Sequence, residues 1–306
     1  MVRITAFSLF ALSLVGFSFS QSLNEKQTII FLRTNTFDNT VGSCLAAAIT
    51  PGILVTTADC TTVSFSKNSL STSQIFIGST NPGKDIAQIS NNPANLGQLS
   101  GLTSPSSIIT HENYNPGTKD DNIALLYLDN HGVTVSKVGG MVAPESASVI
   151  AAGVGQLLSS KQSTVSSIQE QNVEIESASF CKVISPSYSD DGSRLFCASN
   201  GNSMCNLDGA IFFPSSSGDN LLYALGSFTG TPNKPTSNDC SSSEAATFYT
   251  RIAFYQDWIQ QKTGIEKSNF ISSQNVSLPT WSSSNSSPST SAQSSDSSSS
   301  STSSTS

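Results

Sequence analysis

Two apolar runs decide how this chain folds: Ile53-Leu54-Val55-Thr56-Thr57 and Ile123-Ala124-Leu125-Leu126-Tyr127-Leu128. Both are short and rich in β-branched or aliphatic residues, which is typical of β-strands. Working outward, similar runs occupy residues 28–32, 74–77, 149–152 and 221–225, separated by Gly, Pro, Asn and Ser clusters. This spacing predicts an all-β sandwich or barrel. Helical periodicity is confined to residues 248–262, where one face would carry these side chains: Phe254, Trp258, Ile259 and Lys262.

The charge balance of the chain excludes several classes of partner. Only 11% of its 306 residues are charged, and the formal net charge is −7. A chain without a basic surface is not expected to bind nucleic acid or anionic lipid. No cluster of metal-ligand residues and no phosphate-binding glycine loop is visible, so we expect no metal and no cofactor.

The two ends of the chain differ in composition from its middle. Residues 1–20 carry Arg3 near their start and continue as an apolar run from Ile4, which predicts a secretory signal peptide cleaved before Gln21. Residues 21–264 then form one predicted domain. Residues 265–306 are dominated by Ser and Thr, which predicts a disordered, glycosylated tail without a membrane anchor. The sequons at Asn275 and Asn285 are candidate N-glycosylation sites.

A series of motifs stands in a fixed order along the predicted domain. They are Thr57-Ala58-Asp59-Cys60, His111-Glu112-Asn113-Tyr114-Asn115-Pro116, Asp121-Asn122-Ile123-Ala124-Leu125-Leu126, Gly153-Val154-Gly155, Cys205-Asn206-Leu207-Asp208-Gly209-Ala210 and Tyr249-Thr250-Arg251-Ile252. In this order they resemble the chymotrypsin–trypsin family of serine proteases. The resemblance implies two packed six-stranded antiparallel β-barrels with a C-terminal α-helix.

Six cysteines in an exported chain indicate three disulfides, for which the count alone allows fifteen pairings. The family resemblance implies one of them: Cys44–Cys60, Cys181–Cys197 and Cys205–Cys240. Each such link is worth roughly 2–4 kcal/mol to a protein that works outside the cell.

The positions that carry catalysis in this family hold other residues here. The histidine position is Asp59, the aspartate position is Asn122 and the serine position is Gly209. A carboxylate is a weak base near neutral pH, an amide carries no charge, and glycine has no nucleophile. If Asp121 had exchanged roles with its neighbour, strand alternation would point its side chain to the opposite face. The resemblance therefore implies a catalytically inactive homologue.

Neighbouring parts of the catalytic machinery also depart from the family pattern. His111 and His131 lie at loop-like positions that match no catalytic site, so we expect them to be solvated or locally hydrogen-bonded. We expect Asp208 to lack the N-terminal amino group that pairs with it in active relatives. The specificity pocket is altered as well, with Ser203 at its floor and Thr229 in place of a wall glycine.

Three functions fit these residues. The first is a secreted non-catalytic binding module, whose candidate binding face lies near Tyr114 and Phe228. Inactive relatives such as oomycete glucanase inhibitors suggest a decoy or inhibitor of a host hydrolase, from a fungus or oomycete. The second is a cell-wall-associated structural protein in which the tail is the functional element, and the third is a residual serine endopeptidase. We expect a monomer with an extracellular protein partner.

Overall fold

A computed structural model describes residues 28–35, 40–63, 66–78, 102–129, 154–160, 168–188, 194–199, 210–214, 220–232, 234, 242 and 244–272. The predicted signal peptide, the strand at 149–152 and the sequons at Asn275 and Asn285 lie outside these residues. The elements and contacts of the fold are those of the described residues.

The N-terminal half forms an antiparallel sheet of seven strands. They are β1 (Thr28–Asn35), β2 (Thr40–Thr50), β3 (Ile53–Thr56), β4 (Ile75–Gly78), β5 (Leu102–Thr103), β6 (Ser107–Thr110) and β7 (Ala124–Tyr127). Their order across the sheet is β5-β4-β1-β2-β3-β7-β6. The two edge strands, β5 and β6, are consecutive in the chain and only residues 104–106 separate them. The sheet must therefore curl until its edges approach.

The prediction of six strands in a closed first barrel is wrong for the described residues, although the all-β fold class is confirmed. The extra strand arises because the segment before β7 is divided in two at Pro105, which has no N–H to donate to a strand ladder. β5 pairs with β4 on one side of this break, and β6 pairs with β7 on the other.

The C-terminal half forms a closed six-stranded barrel, as predicted. Its strands are β8 (Val154–Ser160), β9 (Ile168–Ile175), β10 (Leu195–Ser199), β11 (Ala210–Pro214), β12 (Asn220–Gly230) and β13 (Ala246–Arg251). They close in the order β10-β13-β12-β11-β8-β9, with β9 returning to β10. A short helix, α1 (Ala178–Ile184), connects β9 to β10 and has no counterpart in the sequence-based prediction.

The sheet and the barrel share one core. Along β2, Leu45, Ala47 and Ile49 belong to one apolar cluster, whereas Ala46 and Ala48 belong to another, as the two-residue period of a strand requires. The cluster that contains Leu45 also contains Ala210, Leu222 and Leu225 of the barrel strands, and Ile252, which directly follows β13. Burial of this shared surface holds the two halves together.

Two of the disulfides that the family resemblance implies are present. Cys44–Cys60 ties β2 to the turn after β3, and Cys181–Cys197 ties α1 to β10. The third implied pair, Cys205–Cys240, lies outside the described residues.

The predicted helix at 248–262 is shorter in the structure. Residues up to Arg251 belong to β13, because their main chain pairs with β10 on one side and β12 on the other. A 3-10 turn, Ile252–Tyr255, follows, and α2 (Gln256–Thr263) completes the C-terminal helix. Phe254, which the periodicity placed on the same face as Ile259, is 46% exposed, whereas Ile259 is buried.

The structured domain extends beyond the predicted boundary at Gly264. Residues after α2 form a further 3-10 turn, Lys267–Asn269, and Phe270 is buried in the shared core with Ile265 and Ile271 packed beside it. The composition pointed to a tail because Ser and Thr dominate residues 273–306, but these three apolar side chains provide enough burial to order residues 265–272.

Candidate functional site

Asp59 stands where β3 ends, in a short 3-10 turn, Ala58–Cys60. The disulfide from Cys60 to Cys44 fixes this turn on one side. On the other side the Arg33 guanidinium donates a hydrogen bond of 2.6 Å to the main-chain oxygen of Asp59. The turn is therefore rigidly placed, and the Asp59 side chain remains 30% exposed.

Three side chains donate to the Asp59 carboxylate. The Tyr114 hydroxyl and the Lys119 ammonium both donate to Oδ1, the latter at 2.8 Å. The Asn122 amide donates to Oδ2 at 3.1 Å. We call Asp59 and these three donors the Asp59 hub.

Asn122 connects the two halves of the molecule through this hub. It is fully buried, and its Oδ1 accepts a 2.9 Å hydrogen bond from the main-chain N–H of Asp59. Its Nδ2 donates both to the Asp59 carboxylate and, at 2.9 Å, to the Ser227 hydroxyl on β12. The amide thus joins the first sheet to the second barrel at the family's aspartate position.

Residues 111–122, which we call the bridging segment, supply all three donors to the hub. A compact turn positions Lys119: its N–H donates to the Asn115 carbonyl at 2.7 Å, and the Asn115 N–H donates to the Asp120 carbonyl at 3.0 Å. Lys119 itself has φ of +62°, a left-handed conformation that disfavours a residue with a Cβ. Its side chain is only 17% exposed because it lies along Asp59.

Asp121 faces away from the hub, so it has not exchanged roles with Asn122. Its carboxylate accepts a 3.0 Å hydrogen bond from the Tyr255 hydroxyl and lies 3.9 Å from Arg194. The cause is not the strand alternation that the sequence suggested, because β7 begins only at Ala124. A left-handed turn at Asp121, with φ of +51°, separates the two side chains instead.

The electrostatics of the hub favour a neutral tyrosine beside a charged pair. Burial raises the pKa of Tyr114 well above its ordinary value, and the negative charge of Asp59 adds to this shift. Tyr114 therefore keeps its proton and donates it to Asp59 in a charge-assisted hydrogen bond. The arrangement is suited to holding the Asp59 carboxylate in one position.

Several candidate residues from the sequence lie outside the described part of the chain. They are Gly209, Asp208, Ser203 and His131. Ala210, directly after Gly209, is buried at the start of β11. Among the described residues, no group of three or more His, Cys, Asp and Glu side chains is placed to hold a metal.

The candidate binding face was placed near Tyr114 and Phe228, but neither side chain is exposed to a partner. Tyr114 and Phe228 are both buried, the first against Asp59 and the second stacked on Phe248. Thr229 is also buried, with its hydroxyl 3.0 Å from that of Thr247. A binding surface must therefore use other residues.

The sequence identified Asp59 and Asn122 as candidate positions but did not identify Tyr114 and Lys119 as donors to Asp59. Tyr114 belongs to the quoted motif that begins at His111, so its position carried a signal. Lys119 lies in a loop without a pattern, and only the turn geometry brings its ammonium to Asp59.

A curled seven-stranded sheet and a closed six-stranded barrel meet at the Asp59 hub, and this arrangement is the scaffold of trypsin-like serine proteases. The trypsin family profile matches residues 27–259, and the chain belongs to the trypsin family. The mouse transmembrane protease serine 11G is 29% identical over 170 residues, which make up 52% of this chain and 39% of that protein. This chain therefore spans well under half of that relative's length.

A solved structure of HL collagenase supports the fold. It superimposes with a TM-score of 0.57 at 18% identity, covering 79% of this chain and 94% of that one. Among the described residues, no helix is long and apolar enough to cross a membrane.

Proposed function

We propose that this chain is a secreted, non-catalytic member of the trypsin family that acts as a protein-binding module. The observation that carries the proposal is the Asp59 hub, in which the residue at the family's histidine position is a carboxylate held by Tyr114, Lys119 and Asn122. Secretion is supported by the predicted signal peptide and by two disulfides, which persist in oxidising compartments.

The hub is unsuited to the work of a catalytic base. A general base needs a lone pair aimed at the proton that it removes and a pKa near the working pH. The carboxylate of Asp59 is already engaged by three donors, one of them an ammonium at 2.8 Å. Asn122 adds no charge to orient or stabilise an imidazolium, and Gly209 offers no hydroxyl to activate.

A serine-directed phosphonate probe tests the loss of catalysis. The natural chain is expected to remain unlabelled, and Gly209→Ser is the matched control because it supplies a hydroxyl without a histidine. That variant should also remain unlabelled, whereas an active trypsin-family enzyme in the same assay should react fully. Stoichiometric labelling of the natural chain would overturn the proposal.

For the partner, we propose an extracellular hydrolase that this chain binds as a decoy or inhibitor. The support is analogy with inactive relatives such as oomycete glucanase inhibitors, together with a low charge content that is unsuited to nucleic acid. We propose a monomer of fungal or oomycete origin, working without metal or cofactor. The alternative is a cell-wall-associated structural protein, which the Ser- and Thr-rich tail favours.

Affinity capture separates these two roles. The full chain and a chain ending at Ser272 would be exposed to host extracellular extract and to wall material. A saturable hydrolase recovered by both chains, and inhibited by them, supports the decoy role. Recovery of wall polymer by the full chain alone supports the structural role. The shorter chain must end at Ser272 rather than Gly264, because Phe270 is buried.

A further inference from the structure

His111 opens the bridging segment and lies against the C-terminal helix. Its ring centroid is 4.8 Å from that of Trp258 on α2 and 5.4 Å from that of Tyr255, to which it stands nearly perpendicular. The side chain is partly buried by these two rings. Its main-chain N–H also donates to the Ile123 carbonyl, which attaches both ends of the bridging segment to each other.

The hydrogen bonds of His111 require a neutral ring. Its Nδ1 accepts a 3.2 Å hydrogen bond from the main-chain N–H of Asn113, so that nitrogen carries no proton. The His111 carbonyl accepts from the Tyr114 N–H at 3.0 Å. A proton on Nδ1 would face the Asn113 N–H, and two donors repel. The turn that leads to Tyr114 would then lose one of its bonds.

The charged groups around His111 already have partners. On its own segment, Glu112 pairs with Lys262 of α2 and accepts from the Trp258 indole. Asp121 accepts from the Tyr255 hydroxyl, with Arg194 on its other side. Neither carboxylate is therefore free to turn toward a protonated His111.

The electrostatic balance keeps the ring neutral near pH 7. Burial lowers the pKa of His111, while the charges of Asp121 and Glu112 act in the opposite direction and Lys262 adds to the lowering. Tyr255 is neutral throughout this pH range, and burial raises its pKa still further above the ordinary value.

From this geometry we propose that His111 is an acid-sensitive latch on the bridging segment. While neutral, it holds the turn at Asn113 and packs the segment on α2. Its protonation breaks the Asn113 bond and releases Tyr114 and Lys119 from Asp59. The latch concerns the conformation of the segment and does not depend on the proposed loss of catalysis.

The direction of the effect follows from proton linkage. The closed segment binds the proton more weakly than the open one, because the pKa of His111 is lowered on closing. The closed form is therefore fully favoured above the ordinary pKa of about 6.5 and loses stability as the pH falls toward the lowered pKa. In acid, the equilibrium constant for opening of the segment should increase about tenfold for each pKa unit by which the open form of His111 exceeds the closed form.

Amide hydrogen exchange on the full chain tests this latch. Exchange of the amides of residues 112–120 is measured between about pH 7.5 and about pH 5 and corrected for the intrinsic rate. We expect their protection to fall in acid, while the amides of β12 keep theirs. The matched variant is His111→Asn, whose Oδ1 can accept from Asn113 but does not titrate. It should keep the segment protected across the whole range.

A second variant separates the hydrogen bond from the packing. His111→Phe keeps a ring against Trp258 and Tyr255 but has no acceptor for Asn113, so the segment should be open at both pH values. An equal loss of protection in acid for the natural chain and His111→Asn would overturn the proposal. So would unchanged protection in the natural chain across the range, or full protection of the segment in His111→Phe.

Discussion

The Asp59 hub and the interior of the second barrel are stabilised by different kinds of contact. In the barrel, Phe196 stacks on Tyr249 and also contacts Tyr223, with ring centroids 5.4 Å and 5.1 Å away. At the hub, side chains from the turn after β3 and from the bridging segment meet through hydrogen bonds and one ion pair. The stabilisation from apolar burial is proportional to the buried area and does not depend on charge, whereas hydrogen bonds to a partly buried carboxylate depend on its charge. The barrel therefore carries stability, and the hub carries a specific charge pattern.

The largest effect is expected in the aromatic barrel. Phe248 is fully buried and stacks on Phe228 with ring centroids 4.5 Å apart. Phe248→Ala should lower the free energy of unfolding by about 3–5 kcal/mol, because it leaves a cavity in the apolar cluster that packs α1 against the barrel strands. Phe254→Ala makes the same change at a side chain that is 46% exposed and should cost less than about 1 kcal/mol. Urea unfolding measures the loss of stability in both variants, and equal losses would contradict the expected difference between the buried and the exposed ring.

Removing the segment after α2 should have the next largest effect. A chain ending at Gly264 lacks Phe270, which is buried in the core shared by the sheet and the barrel. Its free energy of unfolding should fall by about 3 kcal/mol relative to the full chain. A chain ending at Ser272 is the control and should match the full chain. Loss of stability in the control would mean that residues beyond Ser272 contribute to the core.

At the hub, changing charge should matter more than changing shape. Asn122→Asp alters the side chain by one atom but places a second carboxylate at the position 3.1 Å from that of Asp59. The loss of this donor and the repulsion between like charges should cost about 1–3 kcal/mol in the free energy of unfolding.

The matched control for this change is an exchange of the two residues. Asp59→Asn combined with Asn122→Asp restores one carboxylate and one amide, so it should recover most of the loss. Chemical unfolding of the single and double variants gives the coupling energy. Additive losses in the double variant would mean that charge is not the cause.

The sequence predicted much of the fold and only part of the site. The runs at 53–57 and 123–128 became β3 and β7 because short β-branched and aliphatic runs bury well in sheets. The helix at 248–262 was predicted too long, since strand pairing with β10 and β12 decided the conformation of residues 248–251. Local periodicity does not contain that long-range pairing.

For the same reason, the local sequence pattern could not predict the donors of the hub. Ser227 is 105 residues from Asn122, and Lys119 is 60 from Asp59. The Lys119 contact depends on a turn in which that residue has a positive φ, a conformation that Lys rarely adopts and that no sequence rule assigns to it. The positions Asp59 and Asn122 were found because a family resemblance supplied the long-range information.

The smallest effect is expected at the outer surface of the bridging segment, where Glu112 meets Lys262. The hydrogen bond from Lys262, helped by that from the Trp258 indole, lowers the pKa of Glu112 to about 2. A lowered carboxyl pKa stabilises the fold above the ordinary pKa of about 4.3, and this contribution is lost as the pH falls through about 2. Lys262→Met should raise the pKa of Glu112 toward its ordinary value, measured by an NMR titration of the carboxyl carbon. Because the pair is exposed, the free energy of unfolding should change by less than about 1 kcal/mol.

The matched control is Lys267→Met, which removes a different ion pair, with Asp257, and should leave the pKa of Glu112 unchanged. An unaltered titration in Lys262→Met would show that the main-chain and indole hydrogen bonds, rather than the ion pair, keep the pKa of Glu112 low.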